Sequence, residues 1–406
     1  MSLFSFSKSA ERIGAIVDIG SGSVLVAVIA SKDGAPNPTV IWSHREHAPL
    51  RNIDSFDQSA KAVMTALVNA LLKFDVEGRR ALNAYNKRSR IDQIQCSIAA
   101  PWSYTVTKSI NYKQDEAFEI NNSLIEELVR TATQKIEAEL NENESASQLG
   151  LSIIARTTMD LLANGYRVKQ PNGEKTNQLR ILHASVVTQQ YLIDHIEDLR
   201  QKLFPSVEMH KLSYVLILHC VTQDIFKNAF DSCLVNITYE ATEIGIVRDG
   251  TLQYATHTPF GSFSLAREIA DITSVPLLEA FQYLHGDTPY AFMDNLPPGQ
   301  KGEVEKVIEA YTARLADLFH ETGDDLSIPK QIFLHADLKS EPFFKDIVEK
   351  AAKRRLKSEP NIRLITPQLV QTLDIESDDT LREDTAMLVS IQFFHKRNHC
   401  SNFEYL

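Results

Sequence analysis

Apolar and polar positions change period repeatedly along this chain, and each change marks an element. Ile13 to Asp18 is an apolar run that predicts a buried strand. Gly20, Ser21, Gly22 and Ser23 form a small-residue turn, and Val24 to Ala30 is a second β-branched run, together a hairpin. Val40 to Ser43 continues that sheet. Phe56 to Phe74 carries Ala60, Val63, Met64, Leu67 and Leu71 at helical spacing and predicts an amphipathic helix. Gly78 to Ile91 is polar and basic and reads as a surface loop, and Ile94 to Ala100 as a buried strand stopped by Pro101. A strand follows Pro101-Trp102. Ile120 to Leu140 is a helix that Asn122 or Ser123 can cap, with Glu126 closing a capping box, and Asn141 to Gln148 is its polar end. Ser152 to Asp160, Gly165 to Lys169 and Leu179 to Val187 read as strands, with a turn at Pro171-Asn172-Gly173. Gln189 to Phe204 reads as a helix.

The second half returns to the opening theme. Leu216 to His219 reads as a strand and Gln223 to Phe230 as a helix. Cys233 to Ile237 and Glu243 to Arg248 are strands, and Asp249-Gly250 turns the chain into Thr251 to His257. Helices are expected at Phe263 to Ile272, Pro276 to His285, Gly302 to His320 and Pro342 to Leu356, with a Pro-containing loop at Gly286 to Gly299. Gln331 to His335, Arg363 to Ile365 and Ala386 to Phe394 are expected as strands. Gly14 to Ala30 and Cys233 to Arg248 are therefore both strand–turn–strand units opening a half, a weak internal repeat.

Composition narrows the function classes. The net charge of −11 argues against general nucleic-acid affinity, which needs a basic face. Cys96, Cys220, Cys233 and Cys400 lie far apart with no Cys-x-x-Cys pair, which excludes the usual zinc spacing and fits a reducing compartment. Met1 to Arg12 lacks the pattern of a signal peptide, and the apolar run Tyr214 to Cys220 is too short to span a bilayer, so a cytoplasmic location is expected.

The turn after Asp18 carries the candidate chemistry. Gly20, Ser21, Gly22 and Ser23 can aim backbone N–H groups at a phosphate, and Asp18 at the strand end can hold a hydrated Mg²⁺. No following helix or Lys makes this a P-loop. His44 and His47 read as solvent-exposed histidines, His219-Cys220 as a core pair in an apolar strand, and the acidic runs 137–144 and 374–384 as solvated faces. No Gly-x-Ser-x-Gly elbow or His-Glu-x-x-His motif is present.

Val17-Asp18-Ile19-Gly20-Ser21-Gly22-Ser23 is similar to the first phosphate loop of the actin-like ATPase superfamily, which includes actin, heat-shock chaperones, sugar kinases and the bacterial FtsA and PilM. Asp231 to His257 with Pro259-Phe260-Gly261 resembles the second phosphate strand pair and the turn after it, and Ala386 to Ile391 resembles the segment closing the first half. The order of elements over 94–187, with Asn164-Gly165-Tyr166-Arg167-Val168, Pro171 and Leu179 to Val187, resembles the inserted subdomain of FtsA and PilM. The resemblance implies an α/β fold of two actin-like (ribonuclease H-like) halves around a cleft with a small inserted α+β subdomain. The first half would take 1–91, 188–212 and, with the C-terminal tail, 381–406. The insert would take 92–187 and the second half 213–380. Trp102 and Tyr104 at the insert's entrance are candidate interface aromatics.

Departures from the family decide the expected chemistry. The second loop reads Asn236-Ile237-Thr238-Tyr239-Glu240-Ala241-Thr242, with no glycine and Asn in place of the acid. Tyr239 and Glu240 would put bulk and negative charge where the γ-phosphate sits. Phe333-Leu334 is followed by His335-Ala336 rather than Gly-Gly, and the Glu-x-x-Lys pair appears as Glu279 and Gln282. The cofactor-contacting residues implied are Asp18 (also the metal ligand), Gly20, Ser21, Gly22, Ser23, Thr242, Glu279 and Gln282, with ATP/Mg affinity weak or absent. The tail His395 to Leu406 is too short and polar for the membrane helix of FtsA-like proteins. The expected function is a cytoplasmic scaffold, peripheral to the inner membrane through partners. It would dock on the cytoplasmic tail of a bacterial inner-membrane protein of the pilus or division apparatus, with self-association as a further mode and no nucleic acid. The alternative is an active ATPase or small-molecule kinase of the same superfold.

Overall fold

The computed structural model describes residues 11–32, 34–48, 56–142, 150–286, 288–320, 328–336, 340–356, 358–373 and 384–396. The N-terminal segment before Glu11, the polar stretch 143–149, most of the acidic run 374–384 and the tail after Lys396 lie outside the described residues.

Two five-stranded sheets share one plan. In the first, β1 (Glu11–Ile19), β2 (Ser23–Lys32), β3 (Thr39–His47), β4 (Gln93–Ile98) and β9 (Glu208–Ser213) run in the order β3-β2-β1-β4-β9. In the second, β10 (Ser232–Ile237), β11 (Thr242–Arg248), β12 (Thr251–Thr258), β13 (Gln331–His335) and β14 (Asn361–Leu364) run β12-β11-β10-β13-β14. Each opens with two antiparallel hairpin pairs and finishes with parallel strands. The repeat legible in Gly14–Ala30 and Cys233–Arg248 is thus a repeat of whole sheets. At the turn into β12, Asp249 (φ 51°) and Gly250 (φ 74°) both adopt left-handed backbone, as a tight hairpin requires.

Between the sheets lie two helices with almost no exposed face: α5 (Tyr214–Ile225) and α11 (Thr385–Lys396). They share one core with Ile16, Leu25 and Ile29 of the first sheet and Leu234 and Phe333 of the second. Both were expected as strands, α5 over 216–219 and α11 over 386–394. A helix buried on every side has no amphipathic period, so its run of apolar residues reads like a buried strand. His219-Cys220 therefore sits on a helix, and the chain leaves helical form at Ile225 instead of entering it at Gln223.

The basic stretch 78–91 is not all loop. Helix α1 (Phe56–Lys73) continues through a π-helical turn at Phe74–Gly78 into α2 (Arg79–Tyr85), which turns Leu82 inward. A Cβ on Gly78 would meet Phe74 at 2.6 Å, so glycine lets the helix press onto that ring. Helix α3 (Asn122–Glu142) is capped one residue earlier than expected, by Asn121, whose Oδ1 accepts the Leu124 N–H at 2.9 Å. Helix α4 (Gln190–Leu203) follows the insert.

The inserted block forms its own sheet, β5 (Ser103–Glu119), β6 (Leu151–Ala163), β7 (Tyr166–Arg167) and β8 (Lys175–Gln189), in the order β5-β8-β6-β7. It begins at Ser103 rather than 92, because β4 pairs parallel with β1 in the first sheet. Met159, Leu182, Ala184 and Val186 of this sheet join the same core as α5. The Thr107 hydroxyl bonds the Gln253 carbonyl of β12. Arg167 bonds Asp160 and also the Asp249 carbonyl, each at 2.7 Å. Trp102 is buried at 2% exposure and its indole N–H donates to the Gly20 carbonyl at 2.9 Å, so it anchors the insert to the first turn instead of standing as a surface aromatic. Among the described residues the helices of the second half, besides α5, are α6 (Ser262–Thr273), α7 (Leu277–Tyr283), α8 (Pro298–His320), α9 (Glu341–Lys353) and α10 (Thr366–Leu373).

Candidate functional site

The two sheets carry matching rows of side chains, of which Asp18, Arg45 and His335 line the cleft. In the first, strand register sets Arg45 of β3, Leu25 of β2, Asp18 of β1 and Ser97 of β4 side by side. In the second, the corresponding row is His257, Glu243, Asn236 and His335. Asp18 and Asn236 occupy equivalent places, each one residue before the end of its strand.

A cavity of about 250 Å³ lies between the rows. Asp18, Gly20, Ser21 and Ser23 line it from the first half, with Arg45 and His47 from β3. Thr238, Tyr239, Ser262 and His335 face them, and Tyr214, Asp384 and Thr385 close the floor. The other expected contacts stand elsewhere. Gly22 is buried with its carbonyl accepting the Ala48 N–H at 3.0 Å, and the Thr242 hydroxyl bonds Phe260 O and the Tyr311 hydroxyl. Glu279 and Gln282 are exposed on α7 and do not line the cavity.

A guanidinium dominates the first row. Arg45 Nε and Nη2 donate to both oxygens of Asp384 at 2.5 and 2.7 Å, and Nη1 donates to Ser23 Oγ at 2.8 Å. The same Nη2 stands 3.8 Å from Asp18 Oδ2, while Ser97 donates to Asp18 Oδ1 at 2.7 Å. Burial raises the Asp18 pKa to about 6, against the pull of Arg45 and Ser97. Burial works the same way on Asp384, but there Arg45 and the Met387 N–H outweigh it and hold the pKa below its ordinary value. Asp384 had been placed on a solvated acidic face. It caps α11 and sits in the cleft instead.

The two phosphate-type turns are bonded to each other. Ser21 Oγ donates to Thr238 Oγ1 at 2.8 Å and accepts the Glu240 N–H at 2.9 Å. The Thr238 hydroxyl donates in turn to the Ala241 carbonyl at 2.9 Å, so both hydroxyls have donor and acceptor partners. Within the first turn, the Gly20 N–H is taken by the Ser23 carbonyl. The Tyr239 ring crosses to meet His47 edge-on at 5.7 Å and stacks on Phe281 at 5.7 Å. Bulk at this place was expected from Tyr239, and negative charge from Glu240. The Glu240 carboxylate is instead turned toward α6, where Arg267 grips it at 2.7 and 2.5 Å and Ser264 donates at 3.0 Å.

The second row is a neutral network. His335 Nδ1 donates to Asn236 Oδ1 at 2.8 Å, and its Nε2 faces the Tyr214 hydroxyl at 3.4 Å. Burial lowers the His335 pKa to about 4 and lifts that of Glu243 to about 8, so both are uncharged near neutral pH.

These residues do not fit a magnesium–triphosphate group as they stand. The carboxylate at the position implied for the metal faces a guanidinium, the Glu240 N–H is spent on Ser21, and the Tyr239 ring reaches across to His47. Among the described residues no cluster of three or more His, Cys, Asp or Glu is placed to hold a metal. Arg45, His335, Tyr214 and Asp384 were not singled out as site residues from sequence. The signal for Arg45 was an arginine placed by strand alternation on the face of Leu25 and Asp18.

No protein-family model and no curated protein matches the chain. Solved structures do. A chain of the PilM-PilN type IV pilus biogenesis complex is 12% identical with TM-score 0.56, over 95% of this chain and 99% of that one. The ethanolamine utilization protein EutJ of Carboxydothermus hydrogenoformans is 10% identical with TM-score 0.41, over 94% and 91%. A Bacteroides thetaiotaomicron protein with an actin-like ATPase fold and unknown function is 9% identical with TM-score 0.44, over 93% and 100%. The last two are too loosely superposed to add to the argument. The chain has the two-lobed actin-like ATPase fold, of the type seen in PilM.

Proposed function

We propose that this protein is an actin-like scaffold of PilM type that docks on the cytoplasmic tail of an inner-membrane protein in type IV pilus assembly, without turning over ATP. The observation that carries it is the direct bonding of Ser21 to Thr238 and Glu240 across the cleft, where nucleotide turnover needs donors and a metal aimed at a phosphate from both sides. The partner class rests on the whole-length likeness to a chain of a complex in which PilM assembles with PilN. No helix among the described residues is long and apolar enough to cross a membrane. Two assays test this. Phosphate release with Mg·ATP should stay at background. Fluorescent peptides copying the cytoplasmic tails of membrane proteins encoded beside this gene should raise in anisotropy on titration with the full chain. Turnover above background would favour the ATPase or kinase reading, and failure of every peptide to bind would remove the scaffold reading.

A further inference from the structure

We infer that Arg45 is the resident cation of the cleft: its guanidinium sits between Asp18 and Asp384 where a divalent metal ion would otherwise be held, and it keeps that ion out. The inference concerns the cleft alone and stands whether or not the chain docks on a membrane partner.

The geometry is that of a coordinated cation. Nη2 lies 2.7 Å from Asp384 Oδ1 and 3.8 Å from Asp18 Oδ2, so one nitrogen faces both carboxylates. Nε takes the second Asp384 oxygen and Nη1 takes Ser23 Oγ, so three guanidinium nitrogens each have an oxygen partner. The Asp18 side chain is 2% exposed, and those of Arg45 and Asp384 are 18% and 19% exposed, so solvent does little to separate these charges. Both carboxylates face one guanidinium nitrogen, and a positive charge held there offsets their repulsion in a site that water screens poorly. A hard divalent cation bound through one or two carboxylates and water answers the same need. The guanidinium is covalently tethered and always charged, so it cannot be diluted or chelated away.

Strand register explains how the arginine arrives. Arg45 lies beside Leu25, and Leu25 beside Asp18, so a long side chain on β3 must lie along the sheet face over Leu25 to reach the carboxylates. Asp384 comes from the N-terminal end of α11, which it caps through the Met387 N–H, and meets the guanidinium with both carboxylate oxygens.

The test is Mn²⁺ binding followed by electron paramagnetic resonance and by thermal unfolding. The intact chain should bind no Mn²⁺ at this site and show no metal-dependent change in Tm. Arg45→Gln removes the charge while keeping much of the side chain. It should bind a single Mn²⁺ at least about tenfold more tightly than the intact chain, and its lowered Tm should recover with the metal. Adding Asp18→Asn to that variant should abolish the binding. Tight Mn²⁺ binding by the intact chain at Asp18 would overturn the inference, as would a folded Arg45→Gln protein that takes up no metal. If Arg45→Gln alone does not fold, the charge-matched Arg45→Gln/Asp384→Asn variant decides. Its recovery as a folded protein without metal supports the role of Arg45 as a counter-charge, and its failure to fold refutes it.

Discussion

Ser21 and Thr238, which stand 217 residues apart on the corresponding turns of the two halves, share a hydrogen bond of 2.8 Å across the cleft. Ser21 is fully buried and serves as donor to Thr238 and acceptor for the Glu240 N–H, so two groups of the second half lose their partner if its hydroxyl goes. Ser21→Ala should lower stability by about 1 to 3 kcal/mol, the cost of stranding a buried N–H together with a lost hydroxyl bond. Urea unfolding should show a lower midpoint with an unchanged slope. Thr238→Val should cost a similar amount, since it removes the acceptor of the Ser21 hydroxyl and one of the two donors to the Ala241 carbonyl, which keeps the Thr238 N–H.

Gly261 holds the second turn from behind. A Cβ there would lie 2.2 Å from the Thr238 carbonyl oxygen, 2.6 Å from that of Tyr239 and 2.7 Å from the Ala241 nitrogen, all backbone atoms that cannot rotate away. At Gly14 the obstacle is the Phe394 ring at 2.2 Å, a side chain of α11. Both alanine variants overpack the core and should be destabilised by about 1 to 3 kcal/mol or more. They should differ in local effect. Gly261→Ala displaces the turn that bonds Ser21, so it should also speed amide hydrogen exchange at Glu240. Gly14→Ala should leave that amide protected.

The sheets were legible because their strands obey local rules: β-branched runs, a small-residue turn at Gly20 to Ser23, and Asp249-Gly250 at a hairpin. Helices with one wet face, such as α1 and α3, were legible through their period. The central helices α5 and α11 were not, since Tyr214 to Cys220 and Met387 to His395 are buried on every side and carry no period. The site was half legible. Asp18 and the turn after it are a contiguous motif. Arg45, Asp384, Tyr214 and His335 come from four separate segments, and only strand register and the packing of α11 bring them together. Glu240 shows the complementary error: its charge follows from its position in the chain, but its direction depends on Arg267, which belongs to the next helix.

Trp102 couples the inserted sheet to the first turn through one indole N–H on the Gly20 carbonyl. Trp102→Phe keeps a buried ring and removes that donor. A loss of about 1 to 3 kcal/mol is expected from the bond and the smaller ring combined, seen as a lowered Tm. An unchanged Tm would show that the insert is held to the turn by its other contacts alone. Removing the insert altogether, residues 103–189, should give an insoluble product. That deletion bares the side of the central core covered by Met159, Leu182, Ala184 and Val186.

Glu243 and Asn236 face each other across β10 and β11 with both side chains buried, and the Asn236 amide beside the Glu243 carboxyl only partly offsets the cost of that burial. Burial raises the Glu243 pKa from 4.5 to about 8. The folded chain therefore keeps a proton that the unfolded chain releases, and stability must fall as pH rises through that window, by up to about 1.4 kcal/mol per pH unit. Asp18, raised to about 6, loses stability in the same direction but has finished by that pH. His335 acts on the other side: kept neutral with a pKa of about 4, it lowers stability only as pH falls below its ordinary value of 6.5. The interval from pH 6.5 to 8 thus isolates Glu243 among these three groups. Urea unfolding over that interval should show the intact protein weakening with pH. Glu243→Gln, which cannot ionise, should show a flatter profile and be the more stable protein at pH 8. Parallel profiles for the two proteins would mean that Glu243 is already ionised in the fold, with a charge partner in place of the neutral pairing with Asn236.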